Sequence, residues 1–257
     1  GGKLATVPAD KLVLWDITWS PDGSKLAYAG DHAALIDRAT LQVTKLVGHP
    51  GRVNRVQFHD TRLLTAGDQT ARIWDAASGK LLAVLEHPAR VSSAIWDRAG
   101  ARIYTAASDL KVRIWDATTQ LAELDVGRRF LDLALSPDER LLAPGAHDGT
   151  IAIWDLATRT RVVELTGHSG PVTNVAWSPD GALLASSADD QTARIWDPAS
   201  GKQLAIRRHL NGVMSVAWTA DGSSILTAST DGGVRLWDAH RETRSAVEIR
   251  ALIDSLR

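Results

Sequence analysis

The dipeptide Trp-Asp occurs seven times in these 257 residues, and five copies close the same phrase at nearly constant intervals. The phrase runs from Gln69 to Asp75, Leu110 to Asp116, Gly149 to Asp155, Gln191 to Asp197 and Gly232 to Asp238. Its tryptophans, Trp74, Trp115, Trp154, Trp196 and Trp237, stand 41, 39, 42 and 41 residues apart. A fixed period near forty marks one supersecondary unit copied and packed against itself. Such a unit cannot bury its apolar face alone, so the copies share a core, and any functional surface is one they build jointly.

Each copy reads as four short strands. In the clearest one, Val172 to Trp177 alternates as a strand does, and Ser178-Pro-Asp-Gly181 supplies a turn. Leu183 to Ser186 is the second strand, Asp190 starts a tight turn, and Ala193 to Trp196 is the third. Asp197-Pro-Ala-Ser-Gly201 turns again before a fourth strand from Gln203 to Ile206, and Gly167-His168 opens the unit. A sixth copy has lost its tryptophan. Lys25 to Ala29 is its second strand and Ala33 to Ile36 its third, and Ile36 stands 38 residues before Trp74. Trp15-Asp16 and Trp96-Asp97 fall on first strands and are not repeat ends.

The Gly-His…Trp-Asp unit resembles that of the WD-repeat β-propeller family, and the match covers almost the whole chain. The resemblance implies an all-β chain: a single six-bladed propeller of four-stranded antiparallel blades. Blade cores fall near residues 12–47, 52–85, 90–125, 129–165, 171–207 and 212–238. It also implies a buried relay in each blade, from His to Asp, with Ser or Thr, to the indole N–H of Trp. That relay carries over as His49, Asp68, Thr65 and Trp74; His87, Asp109, Thr105 and Trp115; His168, Asp190, Ser186 and Trp196; and His209, Asp231, Thr227 and Trp237. A buried indole needs an acceptor, and a buried carboxylate needs donors. Around Trp154 the pattern departs, with Arg128 near the His position and Pro144 at the Ser/Thr position, so that relay is expected to be broken.

Gly2 to Val7 looks like Gly79 to Val84, a fourth strand. In this family such an N-terminal strand completes the last blade, here with residues 3–7. Residues 244–257 then remain as a tail, whose apolar spacing from Ala246 to Leu256 predicts a short C-terminal helix. The alternative is that Ala246 to Ile249 is itself the closing strand.

With 29 basic and 30 acidic side chains the net charge is −1, which gives no bulk attraction to nucleic acid or a membrane surface. No apolar run approaches the roughly 18 residues of a membrane span. No signal peptide opens the chain, and there is no cysteine, which removes disulfide, thiolate-metal and thiol chemistry and fits a cytoplasmic location. The chain opens Gly1-Gly2 and its one methionine is Met214, so it reads as a segment of a longer polypeptide.

Four of the eight histidines fall at the relay position, and the other four lack metal-ligand spacing. There is no nucleophile elbow, phosphate-binding glycine loop or His-Glu-x-x-His. Neither a catalytic residue, a metal site nor a cofactor is expected.

Three positions per blade are expected to face the mouth that carries the relay loops. These are Val13, Trp15 and Gly30; Arg52, Asn54 and Gly67; Arg90, Ser92 and Ser108; Arg129, Leu131 and His147; Pro171, Thr173 and Asp189; and Gly212, Met214 and Thr230. Arg52, Arg90 and Arg129 would form a basic arc, with Trp15 and Met214 an apolar patch beside it. Trp15, Arg52, Arg90, Arg129, His147, Asp189, Met214 and Thr230 are the candidate partner-binding residues, because Arg and Trp concentrate binding energy.

The expected role is a non-catalytic scaffold for a protein or peptide, acidic or phosphorylated, or for another domain of the same polypeptide. The repeats resemble bacterial WD-repeat regions of multidomain signalling proteins, where the propeller acts as sensor or autoinhibitory cap. The alternative is a propeller enzyme or lectin using the central channel. It would need carboxylates or histidines where the first strands carry Ile17, Val56, Ala94, Leu133, Val175 and Val216.

Overall fold

Two kinds of polar punctuation cut the chain into strands. In the Ser178–Gly181 turn, the Ser178 hydroxyl donates to Asp180 Oδ1 (2.6 Å) and accepts from the Leu183 amide (2.9 Å), while Gly181 takes φ +73°. Ser20, Ser136 and Thr219 repeat this arrangement, and Glu139 holds the glycine place of one turn at φ +60°. The Asp of Trp-Asp is the second device. Asp75, Asp155 and Asp197 accept the amides of Ser78 (2.8 Å), Ala157 (2.9 Å) and Ala199 (3.0 Å), so the carboxylate that ends the third strand starts the next turn.

The computed structural model describes residues 13–239. Their strands form six antiparallel sheets in chain order. The first blade is Asp16–Trp19 (β1), Lys25–Ala29 (β2), Ala33–Asp37 (β3) and Val43–Leu46 (β4). The second is Val53–His59 (β5), Arg62–Gly67 (β6), Thr70–Asp75 (β7) and Leu81–Glu86 (β8). The third is Val91–Trp96 (β9), Arg102–Ala107 (β10), Lys111–Asp116 (β11) and Thr119–Asp125 (β12). The fourth is Phe130–Leu135 (β13), Leu141–Ala146 (β14), Ile151–Asp155 (β15) and Thr160–Leu165 (β16). The fifth is Val172–Trp177 (β17), Leu184–Ala188 (β18), Thr192–Asp197 (β19) and Lys202–Arg208 (β20). The sixth shows Val213–Trp218 (β21), Ser224–Ser229 (β22) and Val234–Asp238 (β23). This is a six-bladed β-propeller. The closing strand expected at residues 3–7 and the helix expected within 244–257 lie outside the described residues.

The core lies between blades. Leu35 of β3 shares an apolar cluster with Val56 of β5, and the same pairing recurs as Ile73 with Ala94, Ile114 with Leu133, Ile153 with Val175, and Ile195 with Val216. The column from Val56 to Val216 is therefore core. The channel side, expected at Ile17 and at Val56 to Val216, is thereby corrected to the column one residue earlier: Asp16, Arg55, Ser93, Asp132, Asn174 and Ser215. Strand alternation puts the two columns on opposite faces.

Candidate functional site

The relay geometry differs between blades. In the second and fifth, His49 and His168 bond Asp68 and Asp190 through Nδ1 (2.9 Å each) and Thr65 and Ser186 through Nε2 (2.8 and 2.7 Å). Trp74 and Trp196 donate to those hydroxyls at 2.8 Å. In the third blade His87 keeps Thr105 (2.7 Å), but its Nδ1 turns to the Leu85 carbonyl (2.9 Å), and Asp109 pairs with Arg113. In the sixth, His209 keeps Thr227 (2.8 Å), but Asp231 lies 3.6 Å from Nδ1 and is bound by Arg235 at 2.9 Å. The expected His–Asp link is thus replaced in the third blade and lengthened in the sixth.

The reason is local. Thr70 and Thr192, two places after the Asp, donate to Asp68 and Asp190 (2.8 and 2.6 Å) and hold each carboxylate towards its histidine. Lys111 and Gly233 stand at that place in the other two blades. Around Trp154, Arg128 bonds Thr150 (2.6 Å) and Glu164 (3.1 Å), Pro144 offers no hydroxyl, and the buried Trp154 Nε1 has no partner. Trp154→Phe removes an unsatisfied donor, whereas Trp196→Phe removes a satisfied one and leaves Ser186 with His168 as its remaining relay partner. Urea denaturation should show Trp196→Phe costing about 1–2 kcal/mol more than Trp154→Phe. Equal costs would contradict this geometry.

Burial pushes His87 down to about 4, only partly opposed by its bond to Leu85. The unfolded chain takes up this proton near pH 6.5, so between about 6.5 and 4 it binds more protons than the folded chain. Stability should therefore be full above that window and fall by about 3 kcal/mol as pH drops through it. Burial likewise lowers His49, His168 and His209, which adds in the same direction. His87→Gln, which cannot take the proton, should lose less stability from pH 7 to pH 4.5 in urea titrations. An unchanged pH dependence would count against a neutral buried His87.

On the mouth of the ring, five first strands carry a bulge. Asn54, Ser92, Leu131, Thr173 and Met214 are the residues skipped by the pairing. A bulge re-aims the side chain it inserts. All five line one cavity of about 260 Å³, together with Trp15, Arg52, Arg55, Arg90, Ser108, Arg129 and Asp189. Since every blade contributes, the cavity sits on the ring axis. Of the eight residues expected to bind a partner, Trp15, Arg52, Arg90, Arg129, Asp189 and Met214 meet there. His147 and Thr230 are exposed outside its lining, although their amides bond Arg129 (2.8 Å) and Gly212 (3.0 Å) just as those of the lining residues Ser108 and Asp189 bond Arg90 (2.8 Å) and Pro171 (3.0 Å).

The arc is partly preset. Arg52 lies over the Trp15 ring at 4.0 Å, and Asn54 Oδ1 accepts from both Arg52 (3.3 Å) and Arg90 (2.5 Å). Asn54 is in turn held by its amide on the Val91 carbonyl (2.9 Å). Burial, with the positive charges of Arg52 and Arg129, pushes Arg90 below its usual value. None of Arg52, Arg90 and Arg129 has a carboxylate partner among the described residues. The site can thus take an anion: the donors are present and their charge is not cancelled.

Beneath it, Arg55 was not anticipated. Its guanidinium bonds the buried Asp132, two blades away, with Asp16 at 3.9 Å. Asp132 also accepts from Ser93 (3.2 Å), Asn174 (2.5 Å) and the Val175 amide (3.1 Å). The available signal was the polar column itself, carrying opposite charges at one strand position. No cluster of three or more His, Asp or Glu able to hold a metal occurs among the described residues.

The sequence pattern of the IFT122 first β-propeller matches residues 13–253. The chain belongs to that β-propeller family. Pre-mRNA-processing factor 19 of Mus musculus is 27% identical over 158 residues, 58% of this chain and 31% of that protein. Protein FIZZY-RELATED 3 of Arabidopsis thaliana is 32% identical over 145 residues, 52% of this chain and 30% of that protein. The chain thus spans under a third of these relatives' length. The solved WD40 β-propeller domain of Doa1 superposes with a TM-score of 0.78 at 22% identity, over 90% of this chain and 79% of that one, which shows a shared fold. No helix of the described residues is long and apolar enough to cross a membrane.

Proposed function

We propose that this propeller is a protein-recognition platform whose axial mouth takes an acidic or phosphorylated segment of a partner protein, or of another domain of its own polypeptide. The observation that carries this is the arc of Arg52, Arg90 and Arg129, without carboxylate partners among the described residues, around a cavity edged by Trp15 and Met214. The planar guanidinium fork grips carboxylate or phosphate in two-pronged fashion. Each exposed pair adds about 0.2–1 kcal/mol, so selectivity needs several arginines acting together with an apolar anchor.

In the finer form of this reading, the platform senses or caps a catalytic domain of a larger signalling protein. Its support is the regularity of the repeats. The channel alternative gains little support. Asp16, Arg55 and Asp132, the acidic and basic side chains of the polar column, are engaged with one another and with backbone amides.

The test is a calorimetric titration with acidic and phosphorylated peptide pools, on the native chain and on Arg52→Glu/Arg90→Glu/Arg129→Glu. The triple variant should lose binding at least tenfold while its melting temperature stays nearly unchanged. Binding that survives the reversal would move the site away from this mouth.

A further inference from the structure

The charges that face the axial cavity do not all have one sign. Arg52, Arg90, Arg129, Pro171 and Gly212 are the residues immediately before the first strands of the second to sixth blades. Three cationic positions in succession are thus followed by two without charge. Asp189 touches both of those. Its amide donates to the Pro171 carbonyl (3.0 Å), and a Cβ on Gly212 would stand 3.3 Å from its Oδ1. The backbone does not require this glycine, since its φ lies outside the left-handed region. What Gly212 does is keep the side-chain place beside the Asp189 carboxylate bare.

Asp189 is exposed, lines the cavity, and makes no ion pair or side-chain hydrogen bond among the described residues. Its neighbour Asp190, by contrast, is engaged by His168, Thr192 and Arg194. An acid and three arginines therefore line one cavity of about 260 Å³ without pairing with one another.

We infer that the notch beside Asp189 and Gly212 is a subsite for a lysine or arginine side chain, so that the mouth selects a segment carrying both an anion and a cation. The subsite presupposes the anion site proposed above and adds an opposite charge to it. A wholly acidic segment spanning the mouth would set negative charge against Asp189, and like charges brought together oppose binding. A segment with a basic residue on that side satisfies both ends. The wall suits such a side chain as well. Met214, two residues beyond Gly212 and exposed, lines the same cavity. Lysine and arginine lay their methylene stems along apolar surface and keep the charged head at a polar group. Met214 offers the first and Asp189 the second.

The probe is a set of short peptides with one central phosphoserine and, at each other position in turn, lysine or norleucine, which keeps the stem and drops the ammonium. In calorimetric titration, lysine at the best spacing should bind about two- to fivefold more tightly than norleucine, the range of one exposed ion pair. Asp189→Asn should abolish that preference without lowering the melting temperature. Asp189→Lys should reverse it, so that glutamate at the same peptide position is preferred to lysine. A merely structural effect of the substitution cannot change the sign. Gly212→Arg, which sets a fourth arginine beside Asp189, should also remove the lysine preference. Phosphopeptides that bind but never favour lysine, or a preference that survives Asp189→Asn, would overturn the subsite and leave the arginine arc standing. If no phosphopeptide binds at any spacing, the arc and the subsite fall together.

Discussion

Trp196→Ala is expected to cost about 3–5 kcal/mol, a large part of the stability of a domain this size. Trp196 is among the largest fully buried side chains and packs with Val175, Leu184 and Ile153 at the seam between the fourth and fifth blades. Truncation leaves a cavity in a region where rigid strands on both sides prevent collapse. It also removes the indole N–H that Ser186 accepts at 2.8 Å, which loosens the Ser186–His168–Asp190 relay behind it. Urea unfolding of the variant should show a lower midpoint with little change in slope. A loss under about 1 kcal/mol would mean that the seam repacks and that the relay carries no stability.

Asp132→Ala should be comparably severe, at about 3–5 kcal/mol, for an electrostatic reason. Its carboxylate is buried and receives donors from Arg55, Ser93, Asn174 and the Val175 amide. Removing it leaves the Arg55 guanidinium with only Asp16, at 3.9 Å, and strands a side-chain amide and a backbone N–H. A half-buried charge left with one distant partner is what makes the loss of one member worse than the loss of both. The double variant Arg55→Met/Asp132→Leu should therefore recover a good part of the deficit in the same denaturation experiment. If the double variant is as unstable as the sum of the singles, the pair is not energetically coupled.

The fold was legible because it is written redundantly. Five Trp-Asp phrases, four Pro-Asp or Ala-Asp turns and a period near forty all point to one unit. The relays were legible in their His, Ser or Thr, and Trp members. The orientation of the Asp was not, because it hangs on a threonine two places on that is present after Asp68 and Asp190 and absent after Asp109 and Asp231. At the mouth, Trp15, the three arginines, Asp189 and Met214 could be placed by alignment. Arg55 could not, because a column of charges at one strand position looks like solvent exposure until the ring brings Asp132 across to it. His147 and Thr230 share the repeat position of Ser108 and Asp189 but are exposed outside the cavity's lining.

The bonds between blades have a further meaning for a chain that emerges residue by residue. Nearly every one joins neighbours about forty positions apart, as when Asn54 reaches Val91, Ser92 reaches Phe130, and Trp218 donates back to Ala176. Each blade can therefore settle onto its predecessor as soon as the next strand leaves the ribosome, with little waiting for distant sequence. Arg55 is the exception, since it bonds a residue 77 positions later. Until Asp132 is made, the second blade carries a cation whose principal counter-charge does not yet exist. The fourth blade thus acts as a latch during synthesis, locking the first half of the ring only after that half is complete.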